Sequence, residues 1–439
     1  MFKIMNLLSK EKTKNKKSTH VKLDNSSIIH MASKDKKWIN IFRLSATLKE
    51  DVDPQILQTA LNVTIKRFPS IAARIHRGMF WYYQSEIDSA PSIVKDDNCF
   101  LQYMSDEDLS ECAFRVLYSE KCIMVECFHA LTDGNGGMKF LKSLIAEYLN
   151  QKYNLSISST DGVLNREEKP LQDEIIDEYF EIQSQVRSRS RSRSRIKNKP
   201  VYQISGEKDH KLNITTSIIH LDEIKKLSKD LNVSLTVLIT SLVMYTLIDI
   251  QKKEVKARKQ RPIKIFLPVD LRNFFPSKTL RNFVYYAAPE IDPRDGNCTL
   301  REIVNSVKHQ LGEQLTEDNL RARVTYNVQL ERKLIVRVLP LFLKRLLMKS
   351  IFSLNEKSTC MTISNLGIIT APKEMEPYIE RFEGILSPRK KSPYNCGITS
   401  YGDKLYINFI RNTKQPALER GFFELLENLN LNFTIETGV

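Results

Sequence analysis

The chain has 439 residues, 41% of them hydrophobic, which suits two domains of ordinary size that each bury a core. Much of its formal net charge of +15 lies in the tail through Lys17 and in the alternating run Arg187–Arg195. Seven scattered cysteines, odd in number and without a C-x-x-C pair, exclude a disulfide scaffold and point to a reduced, cytoplasmic protein.

Residues 1–25 read as a basic disordered tail. Lys10–Lys17 is polar and basic with no cleavage-type small-residue site, so no signal peptide is expected. Trp38–Leu48 reads as a strand. Asp53 then suits an N-cap, with Pro54 at the first helical position and Leu57, Ala60, Leu61 and Ile65 on one face. Arg67-Phe68-Pro69 leads into a strand reading over Ile71–Gln84. Cys112–Tyr118 and Ile123–Phe128 are short β-prone runs around Ser119-Glu120-Lys121, the pattern of a hairpin or of adjacent strands. Gly134–Gly137 breaks the second run, and Met138–Tyr153 follows as a helix.

Residues 155–200 are polar and charged, and read as an interdomain linker that ends in the Arg-Ser run. That run has no apolar period to build a core. It can meet phosphate electrostatically, but no aromatic residues interleave it, so nucleic acid is not expected as a partner. The second half, 201–439, opens with a strand over Ile214–Leu221. Asp222 caps a helix to Leu231, Asn232 ends it, and Ser234 caps a buried helix through Ile250. Ile263–Leu267 is a strand, Thr299 caps a helix to about Leu315, and Leu320–Phe352 is helical with a break at Pro340. The apolar stretches Leu235–Ile250 and Leu334–Phe352 do not read as transmembrane. The first is short and holds Thr and Ser; the second is interrupted by Arg337, Pro340, Lys344, Arg345 and Lys349. Thr359–Asn365 is a strand, Gly397–Gly402 and Leu405–Ile410 form a hairpin, and Gln415–Leu429 holds the last helix. Strands and helices mix in both halves, which is the α/β class.

The most informative stretch is Phe128-His129-Ala130-Leu131-Thr132-Asp133-Gly134. With 7 histidines in the chain, H-x-x-x-D-G arises by chance in roughly two or three such chains per hundred, so its context matters more than its letters. His129 sits where a strand ends and a helix is about to begin. A ring there is held rigidly and faces a cavity, and an aspartate four residues on can turn back to lock the backbone. Histidine also has the proton affinity that a base needs near neutral pH. Gly134, Gly136 and Gly137 permit tight packing at the turn. Cys127 shares a face with His129 only if the strand runs straight, so a Cys-His dyad is not the reading. No H-E-x-x-H, Walker A loop or Rossmann fingerprint supports metal or nucleotide chemistry.

The segment resembles the active-site motif of acyltransferases that share the chloramphenicol acetyltransferase fold. Other matches follow in that superfamily's order: Trp38–Leu48 with the Asp53-Pro54 helix, Arg67-Phe68-Pro69, Pro268-Val269-Asp270-Leu271-Arg272-Asn273, Arg281-Asn282-Phe283, and Ser364-Asn365-Leu366-Gly367. The likeness runs from about residue 25 to the end. It implies two pseudo-duplicated chloramphenicol acetyltransferase-like domains, mixed sheets flanked by helices, and an active-site channel between them. It makes His129 the general base, Asp133 the organiser and Arg272 its structural partner. Asn282 and Asn365 become candidates for channel positioning and Ser364 for an oxyanion donor. Phe128 stands where condensation domains carry a second histidine, and the C-terminal aromatic-Gly-Trp-Gly segment of plant BAHD enzymes is absent. The resemblance therefore points to the alcohol acetyltransferase-like branch. It implies acyl transfer from acyl-CoA to an alcohol or amine, by a chain complete as a monomer. An acyl-phosphopantetheine carrier protein as donor, and a non-catalytic acyl-binding member, are the alternatives.

Overall fold

The computed structural model describes residues 21–34, 39–97, 100–184, 200–296, 298–333, 338–389 and 392–438. Residues 1–20, Trp38, Cys99, Arg337 and the Arg187–Arg195 run, on which parts of the sequence reading fall, lie outside the described residues.

Two mixed sheets organise the chain. The first runs Ile379–Leu386, Ile41–Leu48, Cys122–Phe128, Phe114–Tyr118 and Val94–Lys95. The second runs Val284–Ala287, Ile263–Asp270, Met361–Ile368, Tyr394–Tyr401, Lys404–Thr413, Lys208–His220 and Phe433–Thr437, with Glu290–Ile291 also on Ile263–Asp270. A small sheet joins Val21–Lys22, Tyr82–Glu86 and Ala73–Arg77. Helices Pro54–Thr64 and Gly134–Tyr153 pack together, the latter against the first sheet. Helices Leu235–Glu254, Leu300–Gln314 and Ala417–Asn428 pack together beside the second sheet.

Local chemistry explains most of these elements. Asp53 accepts from Gln55 N and Ile56 N, Ser234 from Val237 N, and Thr299 forms a capping box with Glu302. Asn232 takes the left-handed conformation (φ 53°) that ends Leu221–Asp230. Helix Leu235–Glu254 is long and apolar enough to cross a membrane by length and composition, yet 72% of its most apolar window is buried inside the fold.

Several elements depart from the sequence reading. Ile71–Gln84 is not one strand but the hairpin Ala73–Arg77/Tyr82–Glu86, turned at Gly78, whose N–H bonds Trp81 O. Residues 21–25 are not tail: Val21–Lys22 pairs with Tyr82–Glu86, and Asp24 caps helix Asn25–Ser33. The helix after the motif begins at Gly134, so the four residues Gly134–Gly137 are its first turn. His220, not Asp222, precedes helix Leu221–Asp230, and Asp222 sits in its first turn. Residues 155–184 are bound to the body: Val163, Tyr179 and Ile182 are buried, and Arg67 holds Glu174 through two bonds of 2.5 and 2.7 Å.

The two halves exchange a strand. After Met361–Ile368 the chain leaves the second sheet, pairs Ile379–Leu386 antiparallel with Ile41–Leu48, and returns at Tyr394. A division at residue 201 therefore does not separate the sheets. Beside this crossover the sheets nearly touch. A Cβ on Gly397 would lie 2.0 Å from Gly384 O, and Thr399 Oγ1 donates to Phe382 O at 2.7 Å. Only glycine permits that approach, because the obstacle is backbone and not a side chain that can swing aside. Gly397→Ala is expected to destabilise the fold by about 2 kcal/mol or more, read as a lower thermal midpoint.

Candidate active site

A cavity of about 1010 Å³ opens between the two sheets. Its walls come from both halves: Phe42 and Leu44 of Ile41–Leu48, the motif loop, Ser364–Ile369, Gly384 and Gly397. Its size is in the range of small-molecule sites.

His129 lines this cavity, one residue beyond the end of strand Cys122–Phe128. Its backbone is held on both sides. The N–H donates to Asn40 O at 2.9 Å, and the carbonyl accepts from Asn282 Nδ2 at 2.9 Å. The ring lies edge-on to Phe42, with centroids 4.9 Å apart, and parallel to the ring of His30, with centroids 4.3 Å apart and planes within 3°. Its Nδ1 is buried with no partner of hydrogen-bond geometry. Burial pushes the imidazole below its ordinary pKa, against the pull of its own carbonyl and of Asp133. The ring is therefore neutral at physiological pH, the form able to take a proton.

His30 is the site residue that the sequence reading missed. It projects from helix Asn25–Ser33, which is bolted to the motif: Ser27 Oγ donates to Ala130 O at 2.7 Å, and Asn40 Nδ2 to His30 O at 2.9 Å. Burial first, and His129 second, hold the His30 imidazole well below its ordinary pKa. The available signal was the Asp24 cap three residues before Ser27. It marks a helix start in a stretch that composition assigned to the tail and its margin.

Asp133 borders the cavity, but its carboxylate is fully committed to the fold. It is 1% exposed, and its oxygens are divided. Oδ1 accepts from Asn135 N (3.1 Å) and Gly136 N (3.0 Å), capping the motif helix. Oδ2 accepts from Arg272 Nη1 (2.9 Å) and Phe283 N (2.8 Å), both in the other half. Arg272 is itself spread over Asp270 Oδ1, Thr279 O and Arg281 O. The carboxylate thus organises backbone and tethers the halves, and has no lone pair left to serve a substrate. Gly136 completes the contact: a Cβ there would lie 2.3 Å from Leu280 O, the same carbonyl that Thr132 Oγ1 bonds at 2.6 Å.

The remaining candidates separate. Gly134 lines the cavity as the first residue of the motif helix. Ser364 lines it too. Asn365 lines it with its amide committed, Nδ2 to Thr236 Oγ1 (3.0 Å) and Oδ1 from Gly367 N (2.8 Å). Asn282 is buried behind the motif, where it holds the His129 carbonyl and lies 3.3 Å from Ser27 Oγ, so it positions His129 and is not among the cavity's lining residues. Cys127 is fully buried, and burial pushes its thiol far above the ordinary range, which leaves no nucleophile there. Lys139, Lys142, Lys308 and Arg389 add positive charge to the cavity wall. Burial pushes Lys142 down to about 8, while its Nζ donates to Asp161 O and Thr370 O.

The profile of the alcohol acetyltransferase family matches residues 119–380, more than half of the chain. No curated protein sequence matches significantly. Among solved structures the chain is similar to the F. graminearum protein TRI101 complexed with coenzyme A and T-2 mycotoxin, with TM-score 0.63, 11% identity and coverage of 96% of this chain and 100% of that one. It is also similar to polyketide synthase associated protein 5 from Mycobacterium tuberculosis (TM-score 0.59, 15% identity, 92% and 96% covered). A third is the wax ester synthase/diacylglycerol acyltransferase from Marinobacter aquaeolei VT8 (0.55, 13%, 94% and 100%). At these identities the structural likeness speaks for the fold, a two-lobed α/β acyltransferase architecture. The profile match, which spans the motif and more than half of the chain, shows that this chain belongs to the alcohol acetyltransferase family of acyltransferases.

Proposed function

We propose that this acyltransferase moves an acyl group from the thioester of coenzyme A directly to a hydroxyl of a small-molecule acceptor, with His129 as general base. The observation that carries the reading is the placement of His129. The residue is clamped by backbone on both sides and set in the wall of a cavity shared by the two sheets. The acceptor oxygen attacks the thioester carbonyl as His129 takes its proton. The tetrahedral adduct then expels the CoA thiolate, which receives that proton. No covalent enzyme intermediate is needed, in keeping with the inert Cys127. In this reading Ser364, which lines the cavity, donates to the developing oxyanion. The lysines of the wall favour the phosphates of CoA. The neighbour crystallised with coenzyme A and T-2 mycotoxin, and another described as a trichothecene 15-O-acetyltransferase, support CoA as donor and a hydroxyl as acceptor.

The test is free-thiol release from a panel of acyl-CoAs with pooled alcohols and amines. Acceptor-dependent release is expected from the wild type. His129→Ala should lower kcat by roughly a hundredfold or more, and equal release from both proteins would overturn the assignment. Release only from acyl carrier protein thioesters would replace CoA by a carrier as donor.

Asp133→Asn keeps the shape of the cap and removes the charge that Arg272 meets. A loss of about 3 kcal/mol in stability is expected, together with a lower kcat and a little-changed KM, because the loop and not the substrate loses its support.

The histidine pair sets a pH dependence. Since burial holds the His129 imidazole below its ordinary pKa in the folded chain, kcat/KM should fall with acid at a lower pH than an ordinary imidazole would set. Stability should follow the same direction. Below pH 6.5 the unfolded chain takes up protons before buried His30 and His129 do, so stability present above that pH is lost as pH falls through their folded values. His30→Phe keeps the ring stack but removes one depressed imidazole. Its thermal midpoint should therefore decline less steeply with acid than that of the wild type.

A further inference from the structure

Twelve large hydrophobic side chains are exposed among the described residues, and half of them gather in one place. Phe342, Leu346 and Leu347 stand on one face of helix Leu341–Asn355, exposed by 58%, 64% and 56%. Val338 precedes the helix, also exposed. Met79, at 71%, and Phe80 extend the patch from the tip of hairpin Ala73–Glu86. The two elements are joined, since Leu341 N donates to Met79 O at 2.9 Å and Lys344 Nζ to Phe80 O at 2.9 Å. The opposite face of the helix is spoken for: Leu341 and Lys344 are buried, and the helix packs on Asn25–Ser33. An apolar patch of this kind is an interaction surface.

The charge around it selects the partner. From Arg332 to Asn355 there are six basic residues and no carboxylate. Arg332, Lys333 and Lys349 are exposed, as is Arg77 at the hairpin. Of the carboxylates beside it, Asp106 is met by Lys34 and Arg345, and Glu331 by Lys22. A second copy of this chain would bring like charges together across the contact. An anionic bilayer offers what the face lacks on both counts, a medium for the apolar side chains and negative headgroups for the cations.

We propose that this face docks on an anionic lipid surface. Helix Leu341–Asn355 lies in the plane of the interface, with Phe342, Leu346 and Leu347 inserted at the level where headgroups meet acyl chains. The exposed cations sit among the phosphates. The surface is separate from the cavity that holds His129, none of whose lining residues belongs to this helix.

The test is sedimentation of the full chain with vesicles of equal parts phosphatidylcholine and phosphatidylserine, against pure phosphatidylcholine. Binding to the mixed vesicles is expected, about tenfold weaker to the neutral ones. The double substitution Phe342→Ser with Leu346→Ser should weaken it by about tenfold or more, while Ile435→Ser, an exposed apolar residue elsewhere, should leave it unchanged. A gain-of-signal variant supplements these. Phe342→Trp should show a blue-shifted emission on adding mixed vesicles and be quenched by brominated acyl chains. No vesicle binding, binding unaffected by the double substitution, or an unshifted Phe342→Trp emission would each overturn the proposal, as would concentration-dependent dimers lost in the double variant without lipid.

Discussion

The Asp133 carboxylate is the interaction on which the site depends. One oxygen caps the first turn of the motif helix, and the other binds Arg272 and the Phe283 amide across the junction. A buried charge is costly unless fully paired, and this one is, by four donors from two halves of the chain. The same contact sets where strand Cys122–Phe128 stops, how helix Gly134–Tyr153 starts, and how closely the motif approaches Leu280. Gly136 is required at that approach because Leu280 O occupies the space of a side chain. His129 inherits its position from this arrangement while taking no direct bond from Asp133.

The second constraint is burial around His129. His129 lies between Phe42 and His30, and Asn40 and Asn282 hold its backbone. Two stacked neutral imidazoles with orphaned Nδ1 atoms are possible only because burial disfavours protonation of either. A preceding histidine in the sequence is replaced here by Phe128, which is buried in the core, and the second imidazole arrives from a helix near the start of the chain. The cost of that arrangement is carried by the helix's ties, Asp24 to Ser27 N and Ser27 to Ala130 O.

Much of the fold was legible because its signals are local. Asp53-Pro54, Ser234 and Thr299 are caps whose chemistry lies within three residues, and the Gly402 turn with alternating apolar neighbours marks the last hairpin. The motif strand and helix were legible for the same reason. Where the reading departed, the deciding partner was distant. Ile71–Gln84 folds back at Gly78 because Val21–Lys22 and Ala73–Arg77 flank Tyr82–Glu86. Residues 155–184, polar in composition, are ordered by Arg67 and by Thr279, which donates to Ile176 O. Strand Ile379–Leu386 carries charges at Glu380, Arg381 and Glu383 that hide it from a hydrophobic pattern. Arg381 pairs with Glu383 and Glu436, while Glu380 is exposed.

The sequence by itself determined the chemistry on offer: a histidine at a strand end, an aspartate four residues on that can lock the local backbone, and glycines for close packing. These follow from residue type and short spacing, which the chain carries with it; only the family resemblance implied that Arg272 meets that aspartate. Only the tertiary structure decided which of the named residues share a cavity. It placed Ser364 and Asn365 in the wall, moved Asn282 behind the motif, and brought His30 against His129. It also lent a strand of the second half to the first sheet. Those outcomes depend on sheet order and on backbone approaches such as Gly397 to Gly384, contacts between residues far apart in the chain that no local pattern encodes.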